Sequence, residues 1–138
     1  MPRKTLFLFF LVLSTIVFFS CTDETDKYSV DDRINAFFND LNSERWDEIY
    51  KHTSPLSTQY GAGQSGTFWN TGDWDQGLYW PYTLNSNNIS DNTTVNVDVT
   101  RGTAGDDNLT FTMVEESDDN WLIRSIYSNT LSSDYLFQ

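Results

Sequence analysis

With one histidine and one cysteine, this chain has few residues able to do chemistry. His52 carries an imidazole that titrates near neutrality, the property a general acid or base needs. No acid or nucleophile stands at motif spacing from it, and it falls at the end of a helical stretch, where a cation complements the carbonyl end of the dipole. A capping or surface role is therefore the plainer reading. Asp73-Trp74-Asp75 places two carboxylates in a glycine-rich loop, as calcium loops do, but lacks the further ligands and closing glutamate. Asp106-Asp107-Asn108 and Asp118-Asp119-Asn120 read as turn formers. A single cysteine excludes an internal disulfide, and one Cys with one His excludes the common zinc clusters. The sequence thus implies no metal, no cofactor and no assembled catalytic set. Recognition is the better-supplied chemistry. Trp69, Trp74, Tyr79, Trp80 and Tyr82 offer flat faces beside Asn, Asp and Gln edges, a combination suited to sugar rings, apolar ligands or a partner protein. Trp80 and Tyr82 alternate with Leu78 and Leu84 as core residues do. Trp69 and Trp74, set among glycines and polar residues, are the candidates for an exposed patch.

Charge narrows the partners. The 138 residues include 8 basic and 20 acidic side chains. Residues 1–20 hold two of the basic ones, Arg3 and Lys4, and no acid, so the rest sets six basic against twenty acidic residues, a balance of −14. Such a surface repels nucleic acid and the anionic face of a membrane, both of which bind through Lys and Arg.

The start of the chain nevertheless points to a membrane. Arg3 and Lys4 precede a 14-residue apolar run, residues 6–19, and then Ser20-Cys21. As helix this run reaches about 21 Å, against about 30 Å of hydrocarbon, so it reads as a secretory signal rather than a span. Phe18-Phe19-Ser20-Cys21 resembles a bacterial lipobox, with phenylalanines where the usual pattern has an aliphatic and a smaller residue. That resemblance implies cleavage after residue 20, acylation of Cys21 and a lipid anchor in the cell envelope, on the outer membrane or the cell surface. The alternative is an ordinary secretory signal with an incidental cysteine. Residues 21–28, with Asp23, Glu24 and Asp26, form a short acidic tether, and residues 29–138 form one domain.

Within that domain, Ser29 caps a helix with Asp31 and Asp32 in its first turn. Val30, Ile34, Phe37, Phe38 and Leu41 make one apolar stripe, and the helix ends near Asn42. Ser43 starts a second, shorter helix presenting Trp46, Ile49 and Tyr50, stopped by Pro55. Five of the seven glycines fall in residues 56–77, which read as irregular structure with one helical turn near residues 67–70. Strands follow at residues 78–84, limited by Pro81 to an edge or bulge, then at 93–101, 109–115 and 121–127. Turns are expected at 102–108 and 117–120. The tail, residues 131–137, is apolar enough to dock. The class is α+β, a helical pair against an antiparallel sheet.

Two helices, an irregular stretch and a meander closing in Asp119-Asn120-Trp121-Leu122-Ile123 resemble the nuclear transport factor two-like (cystatin-like) superfamily, whose last strands carry a turn, a tryptophan and a hydrophobic residue two positions on. The resemblance implies a cone-like curved sheet wrapped on the helices, with an open end that takes a small molecule. Its ketosteroid isomerase-like members set an acid or base beside a tyrosine in that cone. Asp98 with Tyr82 is the pair such chemistry would use here, although Asp98 shares its strand face with Thr94 and Asn96 rather than with the valines. Two functions stay open, since fold alone does not choose. One is a membrane-anchored, non-catalytic module for a small molecule, a glycan or another envelope protein. The other is a lipid-anchored isomerase or dehydratase acting through a pocket carboxylate.

Overall fold

The computed structural model describes residues 27–75 and 77–138; the expected signal sequence, Cys21 and most of the expected acidic tether lie outside the described residues. Helix α1 runs Val30–Asn42. The Ser29 hydroxyl accepts the Asp32 N–H at 3.2 Å, a cap that contributes about 1 kcal/mol. The stripe Val30, Ile34, Phe37, Phe38 and Leu41 is buried as its spacing requires. Arg33 and Asp40 are buried on the same helix.

The expected second helix does not form as an α-helix. Glu44 adopts φ 58°, a left-handed conformation that reverses the chain just after α1. Residues 43–48 turn, and only Ile49–His52 winds into a 3-10 turn. With Pro55 so close, too few residues remain to repay helix nucleation. Helix α2, Tyr60–Gly63, is a single turn, and two further 3-10 turns cover Gly66–Asn70 and Gly72–Trp74. The first of these stands where the sequence expects one helical turn.

Five antiparallel strands form an open sheet in sequential order: β1 Tyr82–Asp91, β2 Thr94–Arg101, β3 Gly105–Ser117, β4 Asn120–Ser128 and β5 Asp134–Phe137. The fold is thus α+β, helices against one face of the sheet. Val95, Val97 and Val99 of β2 face the core with Leu109, Phe111 and Met113 of β3. β1 is an edge strand, but it starts later and runs longer than residues 78–84. Pro81 donates no N–H to a ladder, so pairing begins at Tyr82, and Leu78 is left 43% exposed. The Asn42 side chain brackets that first residue, donating to the Tyr82 carbonyl at 2.7 Å and accepting its N–H at 2.8 Å. The turn expected at residues 102–108 is shorter, residues 102–104. Asp106, Asp107 and Asn108 lie in β3 rather than in a turn, whereas Asp118 and Asp119 do turn the chain, with positive φ.

Strand β4 contains a bulge. Thr112 pairs with Ser125 but Met113 pairs with Ile123, so Arg124 is the extra residue. Ile123 and Ile126 therefore both point inward, three positions apart instead of two. The Ser54 N–H donates to the Ile123 carbonyl at 2.8 Å beside this bulge, tying the chain after the 3-10 turn to the sheet. The tail docks as β5, burying Leu136 and Phe137.

The aromatic residues fill the core. Phe37 meets Trp69, Trp74 and Phe111 edge-on at centroid distances of 5.7, 5.9 and 6.0 Å. Trp69 is 0% and Trp74 2% exposed, so the expected exposed tryptophan patch does not exist. Their indole N–H groups donate to the Gly63 carbonyl at 2.6 Å and the Leu136 carbonyl at 3.2 Å. With the polar edge satisfied, burying each large ring is favourable. Tyr82 is also buried, while Tyr79 and Trp80 are half-buried at the margin.

Candidate functional site

Three buried side chains, Arg33, Asp40 and His52, form a polar chain that the exposed Arg45 closes from the surface. Arg33 Nη1 lies 3.1 Å from His52 Nδ1, and His52 Nε2 lies 2.8 Å from Asp40 Oδ2. Arg45 donates to Asp40 Oδ1, its Nε at 2.8 Å. A guanidinium has donors only, so His52 Nδ1 must be the acceptor, and the proton sits on Nε2, donated to Asp40. The ring is therefore neutral. Burial first, and then the charges of Arg33 and Arg45, hold it below the ordinary histidine value of 6.5 against the pull of Asp40. Because the folded value is the lower one, the unfolded chain binds more protons between the two. The contribution to stability is complete above pH 6.5 and declines as pH falls toward the folded value. Urea unfolding at pH 7.5 and pH 5.0 is expected to show a lower midpoint in acid, with His52→Gln removing this part of the dependence.

Arg33 reaches further. Its Nε donates to the Trp121 carbonyl at 2.7 Å and its Nη2 to Asn120 Oδ1 at 2.9 Å, while the guanidinium lies 4.1 Å from the centre of the Tyr28 ring. The Trp121 N–H donates to the Tyr28 carbonyl at 3.0 Å. The first turns of the domain are thereby fastened to the start of β4. Beside this fastening lies an open cleft of about 500 Å³. Tyr28, Tyr50 and Tyr60 line it with the charged Glu48, Lys51 and Glu116, and His52 forms part of its floor. Tyr50 and Tyr60 meet edge-to-face at 6.3 Å.

This arrangement corrects the surface or capping role expected of His52, which is 6% exposed. It also limits the chemistry. Both ring nitrogens are held by protein groups, so in this arrangement neither is available to exchange a proton with a molecule in the cleft. What the cleft offers is a lining of tyrosines beside polar and charged side chains.

The other candidates fall elsewhere. Asp98 lies on the outer face of β2, where hydrogen bonds from Asn108 and Ser86, both at 2.7 Å, hold its carboxyl below the usual range. Tyr82 pairs with Arg101 on the inner face, and burial pushes its hydroxyl up. Asp98 and Tyr82 thus stand on opposite sides of the sheet and cannot act as an acid–tyrosine pair. Asp73 offers its backbone carbonyl to Arg101, and Asp75 Oδ1 accepts the Gly77 N–H at 2.9 Å. Among the described residues no group of three His, Cys, Asp or Glu side chains is placed to hold a metal ion.

A second buried charge pair lies at the end of β2. Arg101 Nη1 donates to Asp107 Oδ2 at 2.9 Å and the guanidinium covers the Tyr79 ring at 4.1 Å. Asp107 also accepts from Ser128 Oγ at 2.6 Å and from the N–H groups of Thr130 and Leu131 at 3.1 and 3.3 Å. Every oxygen of this carboxylate serves the fold.

Sequence reasoning misses Arg33, Asp40, Tyr28 and Asn120. The signal for two of them is present: Arg33, Phe37 and Asp40 follow the i, i+4, i+7 spacing of the buried stripe, and two opposite charges inside such a stripe require burial with partners. Compared with known proteins, the chain matches no family model, no curated protein and no solved structure.

Proposed function

We propose that this chain is a lipid-anchored bacterial envelope protein, held at the outer membrane or cell surface through Cys21, whose domain binds a small molecule or glycan without transforming it. In this reading the domain is of the nuclear transport factor two-like type, and α1 lying against an antiparallel meander supports that assignment. The observation that carries the functional reading is the cleft itself. Three tyrosines line it together with polar and charged side chains, while the one histidine and its aspartate are spent on each other and on Arg33 and Arg45. Aromatic faces with polar edges favour sugar-like or flat polar molecules. The rival isomerase or dehydratase is less well supported, since Asp98 and Tyr82 do not meet and Asp40 is bonded to His52 and Arg45.

Mass spectrometry of the native protein, run before and after organic extraction, tests both halves. The expected result is a chain beginning at Cys21 with acyl mass added, together with a non-covalent species lost from Tyr60→Ala. A chain that begins elsewhere, or that carries no acyl mass, removes the anchor. A chain with no retained species, or one indifferent to Tyr60→Ala, removes the binding role. The anchor has a second readout in Cys21→Ser, which should move the protein from the detergent phase to the aqueous phase on partitioning.

A further inference from the structure

Protonating His52 changes one side of its ring. Nε2–H donates to Asp40 whether the imidazole is neutral or charged, but Nδ1 passes from acceptor to donor. There it confronts Arg33 Nη1 at 3.1 Å, donor against donor and cation against cation. Among the described residues, the other charged and titratable groups around the ring are Asp40 from α1, Arg45 from the turn beyond it, and Tyr28, whose ring lies 6.3 Å away. Glu48, Tyr50, Lys51, Tyr60 and Glu116 complete the cleft wall. Of all these, Arg33 alone opposes the new proton at hydrogen-bond distance. Its guanidinium is a rigid planar fork, so withdrawing Nη1 also disturbs Nη2 on Asn120 and the face laid over Tyr28.

We propose that His52 is a proton-operated latch on the cleft: a proton at Nδ1 displaces Arg33, uncovering the Tyr28 ring and releasing its hold on Asn120 Oδ1 and the Trp121 carbonyl. This wall of the cleft loosens, while the backbone bond from Trp121 to Tyr28 still tethers it. The latch is set at neutral pH and released in acid. That it governs a ligand rests on the binding role proposed above, but the movement itself needs no ligand to be seen.

Because the chain has a single histidine, its imidazole gives one nitrogen signature. In nitrogen-resolved NMR of the full chain in detergent, the neutral ring should carry its proton on Nε2. It should titrate once, below 6.5, and the amide signals of Tyr28, Asn120 and Trp121 should move with the same midpoint. Arg33→Met, which removes the opposing donor and charge, should shift that midpoint upward. His52→Gln, which keeps an acceptor for Arg33 and a donor for Asp40, should abolish the coordinated movement. The latch is overturned if the neutral ring carries its proton on Nδ1. It is equally overturned if the three amides stay still while the ring titrates, or if the midpoint ignores Arg33→Met. Coordinated movement in a protein that retains no ligand sustains the latch and refutes the binding role. A retained ligand with motionless amides does the reverse.

Discussion

Asp107→Ala is expected to remove much of the stability of this domain, about 3–5 kcal/mol out of a total of order 5–15 kcal/mol for a domain. Arg101 is 0% exposed, and a guanidinium cannot shed its proton to escape burial. Without Asp107 its charge is left beside the Asp73 carbonyl, the Tyr79 ring and the Tyr82 side chain, with no carboxylate paired to it among the described residues. The same substitution strips partners from Ser128, Thr130 and Leu131, which belong to the end of β4 and the chain leading to β5. Urea unfolding followed by far-ultraviolet circular dichroism reads the loss. Asp107→Asn, which keeps an acceptor oxygen but not the charge, should fall between the two proteins. A loss below about 1 kcal/mol would place the pair among ordinary surface bridges and refute this account. The carboxyl also carries an acid signature. Burial pushes it up, but hydrogen bonds from Ser128, Arg101, Leu131 and Thr130 outweigh burial and hold it below the ordinary 3.8. Its stabilisation is therefore present above that value and is lost as pH falls through the folded one.

Gly102→Ala should be nearly as damaging, for a different reason. Gly102 has φ +47°, where a side chain costs about 1–2 kcal/mol. A Cβ there would stand 2.5 Å from the Leu78 carbonyl oxygen, 2.6 Å from that of Trp80 and 2.8 Å from the Trp80 nitrogen. All three are backbone atoms, so no rotamer change relieves them; the whole entry to β1 must move, at roughly 1–3 kcal/mol more. Gly72→Ala is the matching control. Gly72 has φ +60° and open space around its Cα, so it should lose the conformational part alone. Thermal unfolding of the two variants side by side separates strain from collision, and equal losses would show that the close approach of residues 78–80 is not the cause.

Legibility followed the range of the interactions. α1 could be read from Ser29 and its stripe, and β2 from three alternating valines, because both patterns are local and one face of each meets the core. The second helix could not, since Trp46, Ile49 and Tyr50 kept helical spacing while the reversal at Glu44 left no length to use it. Asp107 sits in a run of Asp and Asn that composition assigns to a turn. Only the pairing of β2 with β3 and the proximity of Ser128 reveal a buried acceptor. Trp69 and Trp74 looked exposed because their neighbours are glycine and polar, yet short turns let those neighbours face water while the rings turn in. The cleft was hardest of all: Arg33 lies 88 residues from the Trp121 carbonyl it holds, a separation no periodicity encodes.

The inward turn of those rings gives the core an optical voice. Trp69 and Trp74 lie 5.2 Å apart at 59°, close and skewed enough for their excited states to couple, with a handedness fixed by the surrounding wall. Near-ultraviolet ellipticity from this indole couple therefore reports side-chain order separately from backbone order. A swollen state that kept its helix and strands would fall silent in that band first.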